Sequence, residues 1–457
     1  MRTLDGDRLA SAAGAEVLAG GAEGGPRRAV VDSRDVGKGD LFVGLPGERF
    51  DGGEFGAEAL RRGAWGILVA TQWGRELAMQ REVGATRPGT GWVLGATDPL
   101  ASLQSLARAW RDQLDCRVIG ITGSTGKTSV KDICRTLLPG EVHASPENFN
   151  TEIGMPLAML GAPKGTDVLV LEMGMRGPGQ IAELCAIAEP DVGVITNVGP
   201  VHVELLGSVE AIAATKAEII DGLRPGGAAV VPAEPGPLEP HLERAPRLLR
   251  FGAGGDVEAA EVVVEAAQTD ALVRTPAGEQ RFKLPFDQAH NLDNALAAIA
   301  AGVALGFPLD QMASLAPGIV FSRLRGELVE LPEDAILIND SYNANPISMR
   351  AALDYLVSLD AGGRRLAVLG EMRELGPDAA AYHREIGEYA RERGVEHIIG
   401  VGEQASAYEP DRQVPDAEAA AAALAEALRP GDAILVKGSR AVGLERVAEK
   451  LTESDDR

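Results

Sequence analysis

The stretch Arg117–Leu138, RVIGITGSTGKTSVKDICRTLL, decides how the chain is read. The apolar run Val118–Thr122 has the length and composition of a buried strand. A turn bounded by glycines, Gly123-Ser124-Thr125-Gly126, follows and leads into Lys127, Thr128 and Ser129. Val130, Ile133, Cys134 and Leu137 then recur at helical spacing. Strand, glycine turn, Lys-Thr and helix in that order make a phosphate-binding loop. Glycines let backbone N–H groups curl round phosphate oxygens, and the helix N-terminus adds partial positive charge. Lys127 is placed to neutralise the β and γ phosphates of a nucleotide, and the Thr128 hydroxyl to hold Mg2+. The pattern departs from the usual one at Ile121, where a glycine is normal; the nearest glycines are Gly120 and Gly123.

More than a hundred residues precede this loop, and they form a first unit, residues 1–113. Its informative part, residues 30–69, reads as a strand, Asp32-Ser33-Arg34, a turn and a strand over Leu41–Leu45. A glycine-rich loop, a helix from Glu54 to Arg62 and a strand over Trp65–Val69 follow. A helix over Leu100–Leu114 connects to the next unit.

Downstream, residues 114–318 continue the strand–helix alternation. The short strand Val168–Leu171 ends in Glu172, and an acid at the carboxyl end of a strand beside a phosphate loop is where a magnesium ligand belongs. Val192–Thr196 ends in a loop carrying His202, and a helix from Ser208 carries Lys216. Taken alone, His202 reads as a loop histidine and Lys216 as a surface lysine. Residues 226–286 read as the end of the sheet plus a small β appendage. Asn291 and Asn294 share one face near the start of an apolar helix, where two amides can read a base edge or cap the helix end.

Residues 319–457 alternate again, with strands over Ala335–Ile338, Leu366–Leu369, Ile398–Val401 and Ala433–Val436, which indicates a second doubly wound sheet without a dinucleotide fingerprint. The loop Asn339–Pro346 is dense in hydrogen-bonding side chains at a strand's carboxyl end, a usual ligand position.

Composition narrows the function. The 457 residues carry 44 basic and 67 acidic side chains, a net charge of -23, which argues against nonspecific nucleic-acid binding and against an anionic membrane surface. The three cysteines, Cys116, Cys134 and Cys185, have no metal-ligand spacing and read as reduced thiols, so a cytoplasmic location is expected. The first residues lack a signal-peptide core, and no apolar run approaches the roughly 20 residues that span a bilayer.

Together GITGSTGKT, NFNTEIGMP, LEMGMRGPGQI, ITNVGPVHVELLGS, TKAEI, HNLDNALAA, NDSYNANPISM, LGEMRELG and KGSR resemble the Mur ligases, ATP-dependent amide-forming enzymes of peptidoglycan synthesis. The resemblance covers essentially the whole chain. It implies a three-domain α/β fold: a smaller N-terminal UDP-binding domain (1–113), a central P-loop mononucleotide-binding domain (114–318) and a C-terminal Rossmann-like domain (319–457). NDSYNANP with LGEM-ELG points to the member that joins D-Ala-D-Ala to UDP-N-acetylmuramoyl-tripeptide. A monomer is expected.

The resemblance also implies roles. Thr128 and Glu172 would bind the magnesium that bridges the ATP phosphates, His202 would help hold a second, and Lys216 would be carbamylated and bridge to the metal site. The loop Gly123–Ser129 would bind the phosphates, and Asn291 and Asn294 would lie near adenine. Asp340 would take the ribose hydroxyls, with Tyr342 and Asn343 packing nearby. Arg325, rather than Arg323, would approach the γ-phosphate. Asn148, Asn150 and Thr151 would line the muramoyl side, and Ser33 and Arg34 would belong to the UDP-binding segment. Lys437, Ser439 and Arg440 would face the incoming dipeptide. Competing readings are a Mur ligase of other amino-acid specificity, a folylpolyglutamate-type ligase, a switch NTPase and a non-catalytic ATP-binding scaffold. The folate-linked enzymes begin the phosphate loop much nearer the N-terminus.

Overall fold

In a computed structural model, residues 1, 3–82, 90–146, 148–201 and 203–453 are described. Three separate sheets follow one another along the chain, with a small antiparallel sheet appended to the second.

The first sheet holds β1 (Glu16–Ala19), β2 (Ala29–Val30), β3 (Leu41–Val43), β4 (Gly66–Ala70) and β5 (Trp92–Ala96), in the order β1-β5-β4-β3-β2. All neighbours are parallel except β1 with β5. Two local details differ from the sequence reading. β3 stops at Val43, because Leu45 turns back to accept the Gly52 amide (2.8 Å). The expected helix from Glu54 starts as a tight turn over Gly52–Phe55 and becomes α-helical only over Gly56–Arg61. The Asp51 carboxylate draws in the Gly53 amide (2.9 Å) and the Trp73 indole (2.8 Å), which favours the tighter turn.

The connecting helix Pro99–Leu114 starts on Asp98, whose side chain accepts the amides of Leu100 and Ala101, with Pro99 in the first turn where no N–H is needed. Leu103, Leu106, Ala107, Trp110 and Leu114 are buried at three- and four-residue spacing, so one face packs into a core shared with the second sheet.

The second sheet is wholly parallel: β6 (Arg117–Thr122), β7 (Val142–Ala144), β8 (Val168–Glu172), β9 (Val192–Ile195), β10 (Ala228–Pro232) and β11 (Leu248–Phe251), in the order β11-β10-β9-β6-β8-β7. The chain runs from β6 to one side and returns to the other through β9, so the crevice beyond the carboxyl ends of β6, β8 and β9 is a topological switch point, where ligands bind in such sheets. The appendage is β12 (Glu258–Glu265), β13 (Gln268–Thr275) and β14 (Gly278–Leu284), antiparallel throughout.

The third sheet holds β15 (Glu327–Leu331), β16 (Ala335–Asn339), β17 (Arg365–Gly370), β18 (His397–Val401), β19 (Arg412–Val414) and β20 (Ala433–Lys437), in the order β15-β16-β20-β17-β18-β19. Only β15 is antiparallel. The last strand inserts between β16 and β17, so the loops after Asn339 and Lys437 lie side by side. Cys116, Cys134 and Cys185 are free and buried, and burial pushes the Cys134 thiol up to about 12. Among the described residues, no helix is long and apolar enough to cross a membrane.

Candidate active site

The carboxyl ends of the second and third sheets face one cavity of about 1530 Å³. Its floor is the phosphate-type loop. Gly123 (φ +151°) runs so close to the end of β9 that a Cβ would lie 1.8 Å from Thr196 Oγ1. Gly126 (φ +80°) turns into the helix Lys127–Leu137 with its α-carbon against Asn294, whose Oδ1 would meet a Cβ at 2.5 Å. Glycine is therefore required at these two places. Ile121, where the usual pattern has glycine, lies in mid-strand and is fully buried, so the crowding that demands glycine falls two residues later. The loop is braced from β9: Asn197 Oδ1 accepts the Thr125 amide (2.9 Å), the Thr196 hydroxyl donates to Thr125 O, and Ser124 Oγ donates to Gly199 O (3.1 Å).

Thr128 sits in the first turn of the helix and donates to Glu172 Oε2 (2.9 Å). The other oxygen of Glu172 accepts Asn150 Nδ2 (2.9 Å), and its backbone amide donates to Ser145 Oγ (3.2 Å). The Arg325 guanidinium reaches Thr128 Oγ1 (2.9 Å) and stacks 4.0 Å above the Tyr342 ring. Lys127 Nζ donates to Gly123 O (2.8 Å). Burial lowers the Lys127 pKa, with Glu172 opposing and Arg325 adding to the shift.

Lys216 is 2 % exposed, and among the described residues its ammonium has no hydrogen bond or ion pair. Burial first, and the charge of Lys127 second, hold its pKa well below the usual lysine range. The side chain is thereby biased to the neutral amine, the form that can add to CO2. Hydroxyl and carboxylate together at Thr128 and Glu172 are hard oxygen donors of the kind magnesium takes, with room left for water and phosphate oxygens.

The third sheet supplies the opposite wall. Lys437 Nζ donates to Asp340 Oδ2 (2.6 Å) and Asn343 O (2.9 Å), locking the two loops together. Ser439 Oγ accepts the Arg373 amide (2.9 Å). Asn294 Nδ2 donates to Asn291 Oδ1 (3.0 Å), and Asn291 Nδ2 to Gln288 Oε1 (3.3 Å). Gln288 is the N-cap residue and makes no side-chain cap, so neither asparagine serves as one.

The cavity thus gathers Gly123–Ser129, Asn148, Asn150, Thr151, Glu172, Lys216, Asn291, Asn294, Arg325, Asp340, Tyr342, Asn343, Lys437, Ser439 and Arg440. Arg323 is exposed and does not line it. Ser33 and Arg34 lie apart, on a turn of the first sheet where Arg34 pairs with Asp32 and holds that carboxyl down at about 2. His202 lies outside the described residues. Four contributors were missed from sequence: Asn197 and Ser145, which brace the loop and Glu172, and the loops at Glu234–Pro237 and Gly252–Ala253, which line the cavity. Asn197 ends a predicted strand beside the loop strand, and that position was its one visible signal.

Against known proteins, the chain matches the Mur ligase middle domain over residues 121–302 and the Mur ligase glutamate ligase domain over residues 324–440. It is 35 % identical over 439 residues to the UDP-N-acetylmuramoyl-tripeptide–D-alanyl-D-alanine ligase of Bacillus subtilis (strain 168), covering 93 % of this chain and 92 % of the relative. The chain belongs to the Mur ligase family. Among solved Mur ligases, MurF from Acinetobacter baumannii superposes with a TM-score of 0.87 at 27 % identity, covering 99 % of this chain and 100 % of that one. MurF ligase from Thermotoga maritima, solved in complex with ADP, gives 0.77 at 32 % identity, covering 93 % and 97 %. The relatives match across all three sheets of this Mur ligase, so its architecture is theirs.

Proposed function

We propose that this Mur ligase joins D-Ala-D-Ala to UDP-N-acetylmuramoyl-tripeptide at the expense of ATP. The observation that carries the reading is the single cavity where Lys127, Thr128, Glu172, Lys216 and Arg325 converge from one side and Asp340 and Lys437 from the other. The cations Lys127 and Arg325 stand beside Glu172, and Lys437 is paired with Asp340, an arrangement that suits a polyphosphate. The curated relatives of matching length bear this activity in their names.

A carboxylate is a poor acyl donor because oxide is a bad leaving group. A terminal carboxylate oxygen of the tripeptide attacks the γ-phosphorus, the bond from that phosphorus to the β-bridging oxygen breaks, and ADP departs. The acyl phosphate then takes the free amine of D-Ala-D-Ala at its carbonyl carbon. The amine sheds a proton, the tetrahedral intermediate expels phosphate, and the amide remains. Phosphoryl transfer of this kind needs alignment and charge compensation more than a covalent catalyst. Lys127 and Arg325 supply fixed cations at the phosphates. Thr128 and Glu172 would hold Mg2+, which when bound spreads the charge of the β and γ oxygens; His202 would help with a second ion. Lys216 would carry a carbamate, turning a buried amine into an anion suited to a metal site. Asp340, Tyr342 and Asn343 would seat the ribose, with Asn291 and Asn294 near the base. Asn148, Asn150 and Thr151 would face the muramoyl peptide, Ser33 and Arg34 its UDP end, and Ser439 and Arg440 the dipeptide.

In this reading residues 1–113, 114–318 and 319–457 act as three domains, each bringing one substrate. The enzyme works as a cytoplasmic monomer in cell-wall growth, and so in cell shape and division. The test is phosphate release and product mass with purified protein, Mg2+, ATP and a panel of nucleotide peptides and dipeptides. Phosphate is expected only when both peptide substrates are present, with a product heavier by the D-Ala-D-Ala residues. Release that ignores the dipeptide, or a product with another amino acid, overturns the reading.

A further inference from the structure

The segment that joins the second sheet to the third runs antiparallel along the helix Lys127–Leu137. Arg135 on that helix donates to Val320 O (3.4 Å), Asp132 accepts the Ser322 amide (2.8 Å), and Thr128 accepts from Arg325 (2.9 Å). Thr128, Asp132 and Arg135 are spaced by four and three residues, so they form one stripe along the helix. The helix descends as the linker ascends, which makes a three-rung ladder. The chain turns sharply on either side of the last rung, with Leu324 at φ +63° just before Arg325 and Gly326 at φ +70° just after it.

The middle rung differs from the others. Asp132 is wholly buried, and its second oxygen lies 3.3 Å from Lys131 Nζ, also buried. Lys131 in turn donates to Ser145 O, and Ser145 Oγ accepts the Glu172 amide. A carboxylate sealed from water is costly to maintain, and a helix surface residue need not be one. Its fixed acceptor sits on a backbone amide three residues before Arg325.

We propose that Asp132 is a positioning residue: by holding the Ser322 amide on the loop helix, it sets the reach of Arg325 to the phosphate end of the cavity. The inference rests on the reading of Arg325 as the cation at the γ-phosphate. Misplacing such a group by about 1 Å costs on the order of 100-fold in rate.

The experiment is a four-member cycle of wild type, Asp132→Ala, Arg325→Ala and the double variant in the full-length ligase. Steady-state kcat and the KM for ATP are measured in the complete reaction. Asp132→Ala is expected to lower kcat by about 100-fold and to change the KM for ATP by less than about threefold. Asp132→Asn, which keeps the acceptor oxygen, is expected to stay within about fivefold of wild type in kcat, and the double variant within about twofold of Arg325→Ala. Ser322→Pro removes the donor while leaving the Lys131–Asp132 pair intact, and is expected to reproduce the loss. It stands in for Asp132→Ala should that variant fail to fold. Full multiplication of the two single effects, or wild-type kcat in Ser322→Pro, overturns the positioning role alone. Wild-type kcat in Arg325→Ala overturns the reading of Arg325 and this proposal with it.

Discussion

Lys216 offers the sharpest test of the electrostatics, because its burial makes a claim about stability as well as turnover. Burial and the charge of Lys127 both favour its neutral form in the folded chain, whereas in the unfolded chain it binds a proton up to about pH 10.4. At pH values between the depressed folded pKa and that limit, the unfolded state holds one more proton than the folded state at this site. Acid therefore favours unfolding, and stability rises with pH by about 1.4 kcal/mol per unit. Lys216→Met fills similar volume and binds no proton. Its advantage over wild type should shrink as pH rises from the depressed folded pKa toward about pH 10.4, by about 1.4 kcal/mol per unit. Lys127 and Lys437 are lowered by burial as well, but they are present in both proteins and largely cancel in the difference. The measurement is urea unfolding in carbonate-free buffer, read from exchange protection of the β6 and β9 amides so that the free energy belongs to the second sheet. Lys216→Met should be more stable at pH 7 and inactive in ligation, a trade of stability for function. Parallel stability curves, within about 0.3 kcal/mol per pH unit, would refute the claim that the buried amine is neutral.

Other perturbations follow from the same geometry. Lys216→Ala should lose turnover by at least about 100-fold and recover part of it with added formate, which returns an anion to the site; unrescued wild-type activity in that variant contradicts the carbamate role. Glu172→Gln keeps groups that can bond Asn150 and Thr128 but drops the charge, so the Mg2+ concentration for half-maximal rate should rise at least about tenfold, as a magnesium titration will reveal. Gly123→Ala adds a Cβ against Thr196 Oγ1 at a positive φ, and should weaken ATP binding by about 1–3 kcal/mol, with partial relief from Thr196→Ala in a calorimetric titration. Asp340→Ala strands a Lys437 ammonium that is 2 % exposed and should destabilise by about 3 kcal/mol; Lys437→Met should cost less, because the carboxylate it leaves is 20 % exposed and can hydrate, and thermal melts in the reverse order count against the pairing.

How much of this was legible in the sequence depends on how far apart the cooperating residues lie. The phosphate loop was readable because strand, glycines, Lys-Thr and helix are contiguous, and local chemistry dictates each of them. The acid at Glu172 was readable because strand ends in parallel sheets are ligand positions whatever the sheet order. Lys216 was not readable from its residues alone: an amphipathic helix presents a lysine to water by default, and only the packing of that helix against β6 and β9 encloses it. Asp132 sits among the apolar positions of a helix whose pattern was already explained, and its partner lies 190 residues away on a backbone amide that no composition or spacing can flag. Lys437 and Asp340 are 97 residues apart and meet because the last strand enters between β16 and β17, a crossover that alternation alone does not specify. The pattern has a physical origin. A parallel strand is recognised by its own burial, but the side chain at its end is assigned a partner only by the strand beside it, and even consecutive parallel strands are separated by a long crossover. The chemistry of the cavity is therefore written in local motifs, while the contacts that present it, Lys437 on Asp340 and Asp132 on the Ser322 amide, are settled by strand and linker order. Substitutions in the motifs should alter the reaction, and substitutions in these contacts should alter whether the two sheets present those motifs to one another.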